Sequence, residues 1–210
     1  NIVITGNTVI DALLSVTDKP YRFDIDELNE IDETKQKLLL LTCHRRENWG
    51  EPMKQIFEAI NELTEKNPDV VVVFPMHKNP SIRELARQYF SSNAAVRLIE
   101  PLDYEPFANL MKKSHLILTD SGGIQEEAPA LGKPVLVLRT ETERPEAVKA
   151  GTVKIAGIEK EKIVQLADEL LNSQKAYDEM AQAANPYGDG TASKQIADFI
   201  VSKREELIGK

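Results

Sequence analysis

From Leu38 onward, short continuous aliphatic runs alternate with stretches whose apolar residues recur at helical spacing. The runs are Leu38 to Thr42, Val70 to Phe74, Val96 to Ile99, His115 to Thr119, Val135 to Leu138 and, with a fainter pattern, Val153 to Ala156. None shows the in-out alternation of a sheet with one wet face. They suit strands buried on both sides, as in a parallel sheet covered by helices. Between them, Pro52 to Glu65 places Met53, Ile56, Ala59, Ile60 and Leu63 along one helical stripe. Ser81 to Phe90, Tyr104 to Lys113 and Gly123 to Leu131 repeat that logic, bounded by Asn67-Pro68, Pro80 and Gly132-Lys133-Pro134. Prolines and glycines at those points start and stop helices. The pattern predicts an α/β fold, a Rossmann-like parallel sheet of about six strands flanked by helices.

Two or three more polar helices are predicted, over Glu159 to Asn172, Lys175 to Ala184 and Ala192 to Leu207, and a short one over Thr8 to Leu14. The acidic stretch Pro20 to Lys37 has no clear period and reads as a linker or surface segment. The resulting division is an N-terminal remnant and linker (1–37), a Rossmann-like domain (38–184) and a C-terminal helical segment (185–210).

A chain of 210 residues suits one buried core. Its formal charge of −8 argues against general nucleic-acid binding, which depends on clustered Lys and Arg. No apolar run approaches the roughly 20 residues of a membrane span. Cys43 stands alone, so no intrachain disulfide is possible, and a reducing compartment such as the cytoplasm is the simplest home. The start at Asn1, without methionine, reads as a cut piece of something longer.

In open parallel sheets, ligands bind beyond the carboxyl ends of the strands. One such end carries Asp120-Ser121-Gly122-Gly123, leading into a helix with Glu126 and Glu127. Ser121, Gly122 and Gly123 bring backbone N–H groups close to an anion, and Glu127 falls on the same helix face as Gly123, where a carboxylate can accept from a ribose diol. The competing reading makes Ser121 a simple helix cap and the glutamates complements of the helix dipole.

A second end carries His44-Arg45-Arg46-Glu47-Asn48. His44 can donate to phosphate or exchange protons, and Arg45 or Arg46 can clamp an anion. The alternative is a loop whose charges pair with one another. His77, Phe107 and Arg144 follow three further strands. His77 with Lys78 suits an anion, Phe107 suits a base, and Arg144 suits a sugar or phosphate. Each also fits a structural role. Walker, G-x-G-x-x-G, C-x-x-C and H-E-x-x-H patterns are absent, which removes P-loop, dehydrogenase and zinc chemistry and leaves no implied metal or cofactor.

Five ordered blocks carry a family resemblance: Thr5-Gly6-Asn7 with Asp11, Thr42 to Asn48, Asp120 to Glu127, Arg144-Pro145-Glu146, and Asn185 to Gly190. Together they resemble the non-hydrolysing UDP-N-acetylglucosamine 2-epimerases. The resemblance implies a GT-B architecture, with this chain as its C-terminal domain plus linker. It also implies elimination of UDP to a 2-acetamidoglucal and re-addition with inverted C2, without metal or nicotinamide. By the same resemblance, Ser121, Gly122 and Gly123 hold the diphosphate, Glu127 the ribose and Phe107 the uracil. His44 supports departure of UDP as the catalytic residue here, and Arg144 faces the phosphates or sugar. Arg45 and His77 match positions of a second, activating UDP-N-acetylglucosamine site. The family's acid/base carboxylates belong to a preceding domain, so the chain alone is expected to bind UDP weakly and not turn over, and the full-length protein is expected to be a homodimer. Two alternatives are a GT-B glycosyltransferase domain and a noncatalytic UDP-sugar-binding module.

Overall fold

In the computed structural model, which describes residues 2–204, six parallel strands form one sheet among the described residues. They are β1 (Lys37–Thr42), β2 (Val70–Pro75), β3 (Val96–Ile99), β4 (Leu116–Thr119), β5 (Val135–Val137) and β6 (Val153–Ile155), in the order β3-β2-β1-β4-β5-β6. The helices are α1 (Thr8–Thr17), α2 (Asp26–Asn29), α3 (Glu51–Lys66), α4 (Pro80–Phe90), α5 (Tyr104–Lys113), α6 (Gly122–Glu127), α7 (Pro145–Ala150), α8 (Lys160–Asn172), α9 (Gln174–Ala181) and α10 (Ala192–Ser202). The predicted Rossmann-like α/β sheet of six strands is therefore the observed fold.

Side chains alternate across a strand, so β1 feeds two cores. Leu39 and Leu41 join Ile56, Phe57, Ile60 and Leu63 of α3 and Ile163 and Ala167 of α8 on one face. Leu38 and Leu40 join Leu13 of α1, Ala108 and Leu110 of α5, and Ile124 of α6 on the other. Phe57 anchors the first core, with its ring 5.7 Å from Phe74 and 4.9 Å from Phe90.

Strands run outward in sequence from β1 to β3, and the chain then returns to lay β4 on the opposite side of β1. Leu39 is in register with Val72 of β2 and with Leu116 of β4. The connections therefore leave β1 and β4 in opposite directions, opening a crevice beyond their carboxyl ends. Thr42 and Thr119 close its floor, their hydroxyls 2.6 Å apart.

The two ends of the chain are laced together. Tyr187 O accepts from the Asn7 amide at 2.7 Å, and Asp11 caps α10 by accepting from the amides of Ser193 at 2.7 Å and Ala192 at 3.2 Å. Gly190 has φ +86°, and a Cβ there would stand 2.5 Å from Leu14 Cδ1. Only glycine suits both the left-handed backbone and the close approach.

The stretch Pro20 to Lys37 departs from its reading as a surface segment. Phe23, Leu28 and Ile31 are buried in the second core, and α2 forms around Leu28. The three anchors stand on turns and one short helix, so they share no period. Gly123 to Leu131 is two pieces, α6 and a 3-10 turn over Ala128–Leu131, with Pro129 in the first turn of the second and Gly132 at φ +65° ending it. Proline supplies no N–H to continue an α-helical ladder. The helix predicted to Ala184 ends at Ala181, and that predicted to Leu207 is observed to Ser202, residues 205–207 lying outside the described ones. Among the described residues no helix is long and apolar enough to cross a membrane.

Phe57→Ala should destabilise the chain by about 3–5 kcal/mol, because a fully buried ring leaves a cavity among aromatic neighbours that cannot collapse freely. Val201→Ala, at a position that is 71% exposed, should change stability by no more than about 0.5 kcal/mol. Urea unfolding midpoints of the two variants check the contrast.

Candidate functional site

The crevice between β1 and β4 is walled by the loop after β1 and the turn after β4, and Asp120 joins them. Its side chain is wholly buried. Oδ2 accepts from the backbone amides of His44 at 2.9 Å and Arg45 at 2.8 Å, and from Asn48 Nδ2 at 3.0 Å. Oδ1 lies 2.9 Å from His44 Nδ1. Burial pushes the Asp120 carboxyl up, but the His44 imidazole and the Arg45 amide outweigh it and leave it below the ordinary aspartate value. The same hydrogen bond raises the His44 imidazole, against the opposing pull of burial. Cys43 beside them is buried, and that burial pushes its thiol well up, so it stays neutral.

Ser121 precedes α6, and its hydroxyl makes no capping bond, so the simple-cap alternative does not describe it. Its amide instead donates to Thr119 Oγ1 at 3.0 Å. The first amides of α6 have no intrahelical acceptor. Two guanidiniums stand over them: a Cβ at Gly122 would meet Arg144 Nη2 at 3.7 Å and Arg45 Nη2 at 3.9 Å. A side chain at Gly122 would fill this space.

Each arginine is held by acids. Arg144 Nε pairs with Glu126, which also accepts from Asn7 Nδ2 at 2.6 Å. Arg45 Nη1 lies 3.3 Å from Glu143 Oε1. Glu143 in turn takes a two-pronged bond from the buried Arg139, at 2.7 and 3.0 Å, and Arg139 Nε reaches Glu47 at 2.8 Å. The Arg139 guanidinium holds the Glu143 carboxyl at about 2. The charged loop after β5 is thus a built network, and Glu47, the acid of the His44 loop, pairs with Arg139 and lies 4.0 Å from Arg45 of its own loop.

Glu127 lies over the turn, its Oε1 3.5 Å from where a Gly123 Cβ would be. Its buried Oε2 has no hydrogen-bond partner. Burial first, then the Glu126 charge, push this carboxyl up, while a bond from the Tyr104 hydroxyl pulls the other way. Beside the turn is a cavity of about 390 Å³, lined by His44, His77, Phe107 and Ser121 with Met76 and Leu102. The His44 and His77 rings stack with centroids 6.3 Å apart.

The fold thus brings the sequence-derived residues into one place: His44, His77, Phe107 and Ser121 around the cavity, Arg45 and Arg144 over Gly122, and Gly123 against Glu127. Sequence reasoning passed over Asp120, Glu126 and Arg139 as actors. The signal for Asp120 was an acid at a strand end, followed at once by a small-residue turn. Among the described residues no cluster of His, Cys, Asp and Glu is arranged to hold a metal.

A doubly wound parallel sheet with a small-residue turn and a cavity at its switch point is the arrangement in which open α/β folds hold a ligand. The family model of UDP-N-acetylglucosamine 2-epimerase matches residues 1–201, and the chain belongs to that family. It is 52% identical over 201 residues to the UDP-N-acetylglucosamine 2-epimerase of Bacillus subtilis (strain 168), covering 96% of this chain and 52% of that protein. It is 48% identical to the chain of the S. aureus MnaA-UDP co-structure, with a TM-score of 0.88 and coverage of 99% and 56%. It is also 48% identical to the UDP-GlcNAc 2-epimerase from Neisseria meningitidis bound to UDP-GlcNAc, with a TM-score of 0.85 and coverage of 95% and 55%. The chain spans about half the length of the curated relatives it matches.

Inorganic pyrophosphate should shift the amide resonances of residues 121–124 in a titration followed by NMR. Arg144→Gln should weaken that binding about tenfold, or about 1.4 kcal/mol, through loss of one charge-assisted donor. Unmoved amides at the turn would exclude it as an anion site.

Proposed function

We propose that the chain is the UDP-binding half of an enzyme that interconverts UDP-N-acetylglucosamine and UDP-N-acetylmannosamine. In this reaction the bond from C1 to the UDP oxygen breaks as the C2 proton leaves, giving a 2-acetamidoglucal and UDP. Re-addition of UDP at C1 returns a proton to the opposite face of C2. The observation that carries the proposal is the meeting of Arg45 and Arg144 over Gly122, in a turn whose Ser121 lines the cavity that also bears His44 and Phe107. Its support is the membership in a family with relatives solved with UDP and UDP-GlcNAc.

In this reading Ser121, Gly122 and Gly123 bind the diphosphate, Glu127 the ribose and Phe107 the uracil. Preplaced donors at the departing diphosphate, His44 and Arg144 among them, stabilise charge where it develops. Arg45 and His77 contribute to a second, activating UDP-N-acetylglucosamine site. That site would adjoin the first, since His77 lines the same cavity as His44. The proton-transferring carboxylates come from a preceding half, and the full-length protein works as a cytoplasmic homodimer that feeds polysaccharide synthesis.

Calorimetry should find weak binding of UDP to this chain. Glu127→Gln should weaken UDP about tenfold, about 1.4 kcal/mol, while leaving inorganic pyrophosphate unchanged, because only UDP carries the ribose. Incubated with UDP-N-acetylglucosamine and no acceptor, this chain should give no product, and the protein joined to its preceding half should give the manno epimer. A demand for an acceptor would favour a glycosyltransferase, UDP-sugar binding without turnover would favour a noncatalytic module, and turnover by this chain alone would remove the assignment of the carboxylates.

A further inference from the structure

His44 and Asp120 are 76 residues apart, yet the buried carboxylate meets the loop of His44 at four points. We propose that Asp120 is a positioning residue, whose carboxylate grips the His44 imidazole through Nδ1 so that the opposite ring edge, Nε2, faces the cavity and presents its proton to the bound diphosphate. The proposal rests on the reading of the cavity as a nucleotide site.

The argument begins with the count of donors. Two backbone amides and the Asn48 amide occupy Oδ2, while the buried Oδ1 has no donor aligned to it and has His44 Nδ1 2.9 Å away to supply one. A buried acceptor without a donor is costly, so Nδ1 keeps its proton whether the ring is neutral or charged. If neutral His44 carries its proton on Nδ1, then Nε2 is an acceptor and repels a phosphate oxygen. Only the imidazolium places a proton on Nε2. A carboxylate with no solvent favours that cation, as the carboxylate partner of a histidine fixes its tautomer elsewhere.

The other groups facing the ring do not replace this role. Arg45, on the same loop, opposes the charge, and His77 and Lys78 after β2 line the cavity without supplying an anion. Cys43 is a neutral thiol, and Ser121 from the turn before α6 is uncharged. Asp120 is the one carboxylate in contact with the imidazole among the described residues. The sign follows from a raised imidazole: UDP binding is complete at acid to neutral pH and is lost as pH rises through the His44 titration, above the free-imidazole value of about 6.5.

The chain has three histidines, so long-range nitrogen-proton NMR resolves each ring and its tautomer. In the unsubstituted chain, His44 should hold a proton on Nδ1 throughout and titrate above free imidazole, and UDP should raise that midpoint further. In Asp120→Asn, the three donors at the Oδ2 position demand the amide oxygen there, which turns the amide NH₂ toward Nδ1. Nδ1 then becomes an acceptor, the neutral proton moves to Nε2, and the midpoint falls below free imidazole. UDP affinity at neutral pH should fall about tenfold with the loss of the positive charge, and because the variant's neutral ring carries its proton on Nε2, the remaining affinity should no longer be lost as pH rises. A neutral proton on Nε2 in the unsubstituted chain, or a midpoint at or below that of free imidazole, overturns the proposal even if the variant fails to fold. The two readings separate cleanly. UDP that perturbs cavity residues while His44 lacks the Nδ1 proton sinks the role of Asp120 alone, whereas an intact Nδ1 pattern with no response to UDP sinks the nucleotide site and with it the diphosphate as partner of His44.

Discussion

The pairing of β1 with β4 is the constraint from which the site follows. The registers of Leu39 with Leu116 and Thr42 with Thr119 bring two strand ends to the same level, although the segment between them builds two of the six strands. At that level the floor is sealed by the Thr42–Thr119 hydroxyl bond, and on each side the chain turns outward two residues later. Cys43 and Asp120 both stay inside, while His44 and Ser121 emerge into the cavity. A shift of one residue would reverse the faces of β4 and send Ile117 and Leu118 to the wrong cores, so the hydrophobic packing itself enforces the placement of the polar ends.

Charge at the site is arranged so that its cations are held without being neutralised outright. Arg45 and Arg144 approach the same glycine from two loops, and two like charges would separate if nothing restrained them. Glu143 and Glu126 supply the restraint from behind, and the buried Arg139 balances Glu143 and Glu47 in its turn. Part-exposed ion pairs such as Arg45–Glu143 add little stability by themselves. Their value here is geometric, since guanidinium forks held on one side present their remaining N–H groups on the other.

What the sequence disclosed and withheld follows from the range of each interaction. Strands and long helices were legible because their signals are local: four or five aliphatic residues in succession, or the stripe from Met53 to Leu63. The Ser121–Gly123 turn and the His44 loop were legible as separate pieces for the same reason. The burial of Phe23, Leu28 and Ile31 was not, since turns separate the three and no period links them. Arg139 and Glu143 are four apart in sequence but lie in an irregular loop, where that spacing carries no helical meaning. The role of Asp120 depends on strand order, a tertiary fact that no window of residues contains.

Strand order also explains why the paired motifs at the two ends of the chain bear on a site near its middle. Glu126 is the junction. Its carboxylate takes Arg144 and Asn7, and its backbone carbonyl accepts from Asn185 Nδ2 at 2.9 Å. Asn7 is bonded through its amide to Tyr187, whose hydroxyl reaches Glu146, two residues beyond Arg144. The stretches around Asn7 and around Tyr187 are therefore linked through Glu126 to the arginine beside Gly122. Any rotation of these segments relative to the sheet must either carry Arg144 along or break its bond to a carboxylate that is mostly shielded from water. The second course leaves a charge poorly solvated, so the mechanical path of least cost runs through the position of Arg144. The glycines at 6 and 190 fit this account, because each allows a tight crossing of the two segments where a side chain would hold them apart.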